Sequence, residues 1–193
     1  MAKIVLDRRV QKTRKLLQDA LVALILEKGF ESVRIQDILD RANVGRSTFY
    51  VHFQNKRELL HSCFDELHSL LEYTMRSSDG GKNSGDIHPD VSLKLFQFVE
   101  RNPPLFKALL GKQGVPAFLE DFLLTHIHDP LKTHMLRHKR TSIPPEIVTH
   151  HFVSAFVGTL KWWVSQDMPC TAEQIDKYFK QLVMPGVKGI LGN

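Results

Sequence analysis

Apolar residues recur along this chain at helical spacing. Leu17, Ala20, Leu21 and Leu24 stand at i, i+3, i+4 and i+7, one stripe of a helix predicted over about 10–28, and Gly29 follows as the left-handed residue that ends it. Ile35, Ile38, Leu39 and Ala42 repeat the spacing in a short second helix. Asn43 tolerates the positive φ of a tight turn, Gly45 adds freedom, and a third short helix is predicted over about 46–52. Phe49 and Phe53, four apart, close a small three-helix core and leave Arg46, Ser47, Tyr50 and Val51 facing away from it. Asn55-Lys56-Arg57-Glu58 has the cap-x-x-Glu form of a helix start, and Leu59, Leu60, Phe64 and Leu67 carry a fourth helix to about Met75.

The stretch SSDGGKNSGD, residues 77–86, lacks apolar residues and reads as a mobile loop. Gly80 and Gly85 have the separation of a phosphate-binding loop, but Asp86-Ile87 stands where Lys-Ser/Thr is needed and no strand precedes it, so nucleotide binding is not expected. Further helices are predicted at about 90–101, 103–111, 116–140, 145–166 and 171–184. Asn102 before Pro103-Pro104 is a cap-then-proline start, and Thr171 with Gln174 is a capping box. Pro130 should kink or divide the helix that contains it. With no strand-like alternation and no internal repeat, the fold class is all-α.

Composition changes this picture little; the placement of charge changes it more. A chain of 193 residues with 42% hydrophobic and 24% charged positions is an ordinary globular protein. Its formal charge of +5 sits wholly at one end: residues 1–60 hold 12 Lys/Arg against 7 Asp/Glu, and residues 61–193 hold 14 of each. A basic segment joined to a neutral remainder is suited to a polyanion, whose counterions it would release. Cys63 and Cys170 are isolated and no signal peptide opens the chain, which points to a reducing, cytoplasmic setting without disulfides. The longest nearly apolar stretch, Phe152 to Val164, contains Lys161 and falls short of the roughly 20 residues that cross a bilayer, so no membrane role is expected.

A support helix, a tight turn and a short helix with a polar outer face, within the basic third, make a helix-turn-helix. The run ANVGRSTFYVHFQNKRELL, residues 42–60, carries the specific signal. It resembles the tetracycline-repressor (TetR) family, whose N-terminal domains hold an aromatic-Tyr-x-His-Phe element followed by a Lys at the start of the next helix. Phe49-Tyr50-Val51-His52-Phe53 and Lys56 fit that element in identity and spacing; Gly29-Phe30-Glu31 and Ile35-x-x-Ile38 resemble the family's first junction and second-helix start. Asn43 departs from the Gly of many members, but Asn takes the same backbone shape. The resemblance implies a DNA-binding domain over 1–62, with double-stranded DNA as partner. In its terms Gln36, Arg46, Ser47 and Tyr50 lie along the groove, Arg46 suited to guanine and Gln36 to adenine or a phosphate. Thr48, Tyr50, His52 and Lys56 match positions that hold the phosphate backbone, Lys56 where the fourth helix's positive end also favours phosphate.

For residues 63–193 the resemblance implies a helical-bundle regulatory and dimerisation domain. LKWWVSQDMPCTAEQIDKYFKQLV, residues 160–183, is similar to the closing helix pair of the branch that includes dihydroxyacetone-kinase-operon regulators, which implies a homodimer. Phe96, Phe118, Phe122, Phe152, Phe156 and Trp163 are candidates to line a pocket for an apolar small-molecule effector, with most aromatic residues here expected in the core. His126/His128, His134/His138 and His150/His151 fix no third ligand, and neither HExxH, GxSxG nor a dinucleotide glycine pattern occurs, so no metal, cofactor or catalytic residue is expected. The function expected is that of a ligand-responsive dimeric repressor on a palindromic operator. The competing readings are a coactivator working through a protein partner and, further off, a helical enzyme with a histidine metal site.

Overall fold

The computed structural model describes residues 8–77, 91–111, 114–138 and 143–191, with side chains described at all of these but 74–77, 129–138, 184 and 187–191. The stretch 78–86, with Gly80 and Gly85, and the side chains of His134 and His138 lie outside the described residues. Among the described residues there are helices and no strands: α1 (Arg8–Lys28), α2 (Ile35–Ala42), α3 (Arg46–His52), α4 (Lys56–Ser62), α5 (Asp65–Ser77), α6 (Val91–Arg101), α7 (Pro103–Leu110), α8 (Pro116–His138), α9 (Pro145–Ser165) and α10 (Ala172–Leu191). No described helix is long and apolar enough to cross a membrane.

The stripe Leu17, Leu21, Leu24 and Ile25 of α1 is buried with Ile38 and Leu39 of α2 and with Phe49 and Phe53, which forms the small N-terminal core. Gly29 ends α1 at φ 77°, its N–H bonded to the Ile25 carbonyl at 2.9 Å. Asn43 ends α2 at φ 50°, ψ 48°, a left-handed residue that aims α3 across α2. Gly45 is extended at φ −67°, so the turn takes its left-handed residue from Asn43 alone. Asn55 caps α4 by accepting from the N–H groups of Arg57 and Glu58.

The fourth predicted helix does not run unbroken to Met75. It stops at Ser62 and resumes at Asp65, with Cys63 N–H and Phe64 N–H bonded to carbonyls three residues back. Side chains from α1 hold the break. Gln18 of α1 donates to the Ser62 carbonyl at 2.9 Å and to its hydroxyl at 3.0 Å, which fastens the end of α4 to α1. Ser62 Oγ bonds in turn to the Leu59 carbonyl. Arg14, also on α1, stacks over Phe53 at 4.6 Å and pairs with Asp65 at 3.0 Å, so one side chain spans the N-terminal core and the first turn of α5.

In the remainder α8 packs along α9, and α10 lies against α6 and α9. Phe96, Phe156 and Phe179 interlock with ring centroids 4.8–5.9 Å apart, and Trp163 closes the cluster beside Phe96 with its indole N–H on the Cys170 carbonyl. Ser92 of α6 donates to the buried Asp176 of α10, which also pairs with Lys180. Thr171 and Gln174 form the reciprocal capping box at the start of α10. Two prolines lie within helices that continue past them. α8 continues as one helix through position 130, and α10 runs past 184 through Pro185 to Leu191. Pro185 denies an N–H to the carbonyl of Gln181, an exposed residue, where water can serve instead.

Candidate nucleic-acid interface

The outer face of α2 and α3 is built on the buried rings of Phe49 and Phe53. Phe49 is fully buried and touches Tyr50 edge-on, ring centroids 5.4 Å apart, so the ring that anchors the helix also orients the Tyr50 ring above it. Gln36, Arg46, Ser47, Thr48 and Tyr50 are exposed together on this face, and His52 is half-buried at the end of α3. Val51, 79% exposed, stands among them; an aliphatic side chain left in water on a buried-core helix suits an apolar contact such as a thymine methyl. Lys28 binds Asp37 at 2.7 Å and Arg41 binds Glu27 at 2.7 Å, two ion pairs that brace α2 against α1. The Asp37 carboxylate also accepts from the Arg34 N–H at the start of α2. The Lys28 ammonium first, and then that N–H, hold its pKa below the ordinary 3.8.

Two placements could not be read from the sequence. Arg46 Nη2 donates to Gln36 Oε1 at 2.8 Å, and Gln36 Nε2 donates to Asp40 Oδ1 at 2.7 Å, a chain that brings in Asp40, which no motif marks. Lys56, expected at the phosphate backbone, here turns its ammonium to the protein's own backbone. Its ammonium has three donors, and they go to the carbonyls of Phe30 at 2.8 Å, Glu31 at 3.2 Å and Val33 at 3.1 Å, with the Phe30 ring 4.5 Å away. The lysine thus ties the start of α4 to the turn between α1 and α2. The adjacent Arg57 is exposed.

A second opening lies where the N-terminal helices meet the bundle. A cleft of about 420 Å3 is bounded by His61 of α4, Phe64 at the break, His68 of α5, and Phe118, Phe122 and His126 of α8. Phe118 and Phe122 are the two of the six candidate pocket residues brought here; Phe96, Phe152, Phe156 and Trp163 lie buried in the aromatic cluster. His126 Nδ1 is 2.6 Å from the Phe122 carbonyl, which only accepts, so that nitrogen donates. In the neutral ring Nε2 then accepts from His68 Nδ1 at 2.7 Å, while His68 Nε2 faces Glu72 at 3.5 Å. Among the described residues no three His, Cys, Asp or Glu side chains gather into a metal site. Cys63, at the break, is pushed up to a pKa of about 12 by burial and so stays a thiol.

A basic head with a helix-turn-helix, its polar face outward and its anchors inward, followed by a helical bundle, defines a DNA-binding transcription regulator. Residues 17–63 match the family described as "Bacterial regulatory proteins, tetR family", and residues 88–185 match "Transcriptional regulator C-terminal region" of the same group. The chain belongs to the TetR family of transcriptional regulators. It is 29% identical over 186 residues to the HTH-type transcriptional regulator YxbF of Bacillus subtilis, an alignment that takes in 92% of this chain and 46% of the relative, so the chain spans about half of that relative's length. Among solved structures it is similar to a TetR transcriptional regulator of Streptococcus agalactiae, at 27% identity and TM-score 0.62, covering 93% of this chain and 98% of that one. The fold is shared with NalD, the secondary repressor of the MexAB-OprM efflux pump in Pseudomonas aeruginosa (19% identity, TM-score 0.70, 91% and 97% covered). It is shared also with DhaS, a dihydroxyacetone kinase operon activator (18%, TM-score 0.56, 92% and 97%).

Proposed function

We propose that this protein is a dimeric cytoplasmic repressor that binds an inverted-repeat operator and releases or tightens its hold when a small apolar molecule binds. The observation that carries the reading is the exposed row of Gln36, Arg46, Ser47, Thr48 and Tyr50 on a helix pair fixed from beneath by buried Phe49 and Phe53. Arg46, Ser47 and Tyr50 meet the bases with Gln36 set against Arg46 at the edge of the groove, and Thr48, Tyr50 and His52 hold the phosphates; Lys56 serves them indirectly by fixing the turn. A bound dimer excludes other proteins from the same duplex without further parts, which favours repression. The head is taken to end at the break after Ser62, where α4 hands over to α5.

Two features of the bundle support the rest. On α9 the exposed Trp162 (52%) stands four residues after Gly158, where an added Cβ would meet nothing within 4 Å, and on α10 the exposed Tyr178 and Leu182 (51% and 80%) are likewise four apart. Apolar stripes of this kind on α9 and α10 would pair with a second copy about a two-fold axis and set the two heads to half-sites about 34 Å apart. The cleft beside Phe118 and Phe122 touches α4, α5 and α8 at once, so a ligand there would bear on the break and shift DNA binding by about 1–3 kcal/mol. Its aromatic walls and imidazole edges suit a flat molecule with one hydrogen-bonding rim.

In-vitro selection of duplex DNA on the purified chain tests the reading. Enrichment of an inverted repeat is the expected result; a folded protein that enriches no sequence would replace it with the coactivator reading. Sedimentation at micromolar concentration should give a dimer, and Leu182→Glu a monomer.

A further inference from the structure

We infer that Asp40 sets the base preference of Arg46 by fixing the orientation of the Gln36 amide; this deepens the operator reading above and rests on it. A carboxylate only accepts hydrogen bonds, so Gln36 must turn its Nε2 donor toward Asp40, at 2.7 Å. The other end of the amide, Oε1, then points at α3 and accepts from Arg46 Nη2 at 2.8 Å. Flipping the amide would set oxygen against carboxylate and NH2 against guanidinium, two repulsions in place of two hydrogen bonds. The orientation is therefore dictated by a charge one helical turn away on α2.

The consequence falls on which side chain reads. Pairing with adenine takes both ends of a Gln amide, acceptor and donor together, and both ends of Gln36 are engaged within the protein. Arg46 gives up a single N–H of five and keeps a free guanidinium edge for guanine O6 and N7. It also occupies the first position of α3, where the helix's positive end disfavours a cation and the first turn holds no acidic residue. Asp40 and Gln36 supply the missing negative partner from the neighbouring helix. Holding a long side chain in one arrangement before DNA arrives lowers the ordering cost of binding. Gln36 and Asp40 are thus positioning residues and Arg46 the reader. The three are exposed, so substituting them leaves the core untouched.

Selections on the full chain and on four variants test this, with circular dichroism as the folding control. Arg46→Ala should lose about tenfold or more of its preference at one base pair per half-site. Gln36→Ala and Asp40→Ala, the second of which removes the acceptor that orients the amide, should each lose several-fold at that same base pair and at no other. The double variant Gln36→Glu with Asp40→Asn should restore the preference, because the carboxylate introduced on the first side chain accepts from Arg46 while the amide introduced on the second donates to that carboxylate. Relaxation at a different base pair in Gln36→Ala would overturn the inference and make Gln36 a reader in its own right. An unchanged profile in Asp40→Ala would overturn it too. Wild-type protein that enriches no sequence at all is a separate result: it removes the operator reading itself.

Discussion

The reading head and the bundle handle their aromatic residues in opposite ways. In the head, Phe49 and Phe53 fill a small core and push polar side chains outward, so function sits on the surface that packing raises. In the bundle, Phe96, Phe156, Trp163 and Phe179 pack against one another, and the opening appears where that packing stops, at Phe118 and Phe122 beside the α4–α5 break. A surface raised by a core can be recognised from a short motif. A cleft left over by a core depends on how distant helices meet.

The comparison can be broken most forcefully at its anchors. Phe49→Ala should unfold the head at a cost of about 3–5 kcal/mol, as a large buried ring removed from a small core. Phe118→Ala, on a half-buried cleft wall, should cost about 1 kcal/mol or less while enlarging the cleft. Urea denaturation of both variants measures the contrast, and equal losses would mean that Phe118 is core rather than wall.

Lys56 sharpens the comparison from within the head. Three carbonyls lose a charged donor in Lys56→Ala, which should cost about 1.5–3 kcal/mol of stability. If the ammonium acts only as this tie, the slope of log K against log salt should stay unchanged in protein held folded. A fall in its magnitude by about one would give Lys56 a direct phosphate contact instead.

These residues show what the sequence could and could not reveal. Gly29, Asn43 and Asn55 act within four residues of themselves, as a helix stop, a turn and a cap, and each could be read from its neighbours. Phe49 and Phe53 were legible as anchors because helical spacing puts them on one face. The break at Cys63–Phe64 was not, because the side chain that holds it, Gln18, stands 44 residues away on another helix. Lys56 matched a family position, yet its partners lie 23–26 residues back and appear only once α1, α2 and α4 are assembled. Asp40 carries no motif at all. The six candidate pocket residues share a composition, and composition does not say which rings face a void.

Smaller effects follow at the joint and at the base of α2. Gln18→Ala should cost about 1 kcal/mol and loosen the joint between α4 and α5, which amide exchange across residues 62–66 would register as faster opening. Asp37 has its pKa lowered in the folded state, so its contribution is present above pH 3.8 and is lost as pH falls through the lower folded value. The stability gap between wild type and Asp37→Asn should therefore be seen at neutral pH and close in that acid range. A gap independent of pH would assign it to something other than the Lys28 pair.

The central claim, that the exposed α2–α3 face reads an operator, is tested most directly by titrating labelled duplexes at several salt concentrations with wild-type protein and with Arg46→Ala. On the selected inverted repeat the variant should bind more weakly by about 1–3 kcal/mol per affected base pair, while its binding to unrelated duplex changes far less. Equal affinities of wild type and variant for the selected and the unrelated duplex, with both proteins folded, would contradict the account.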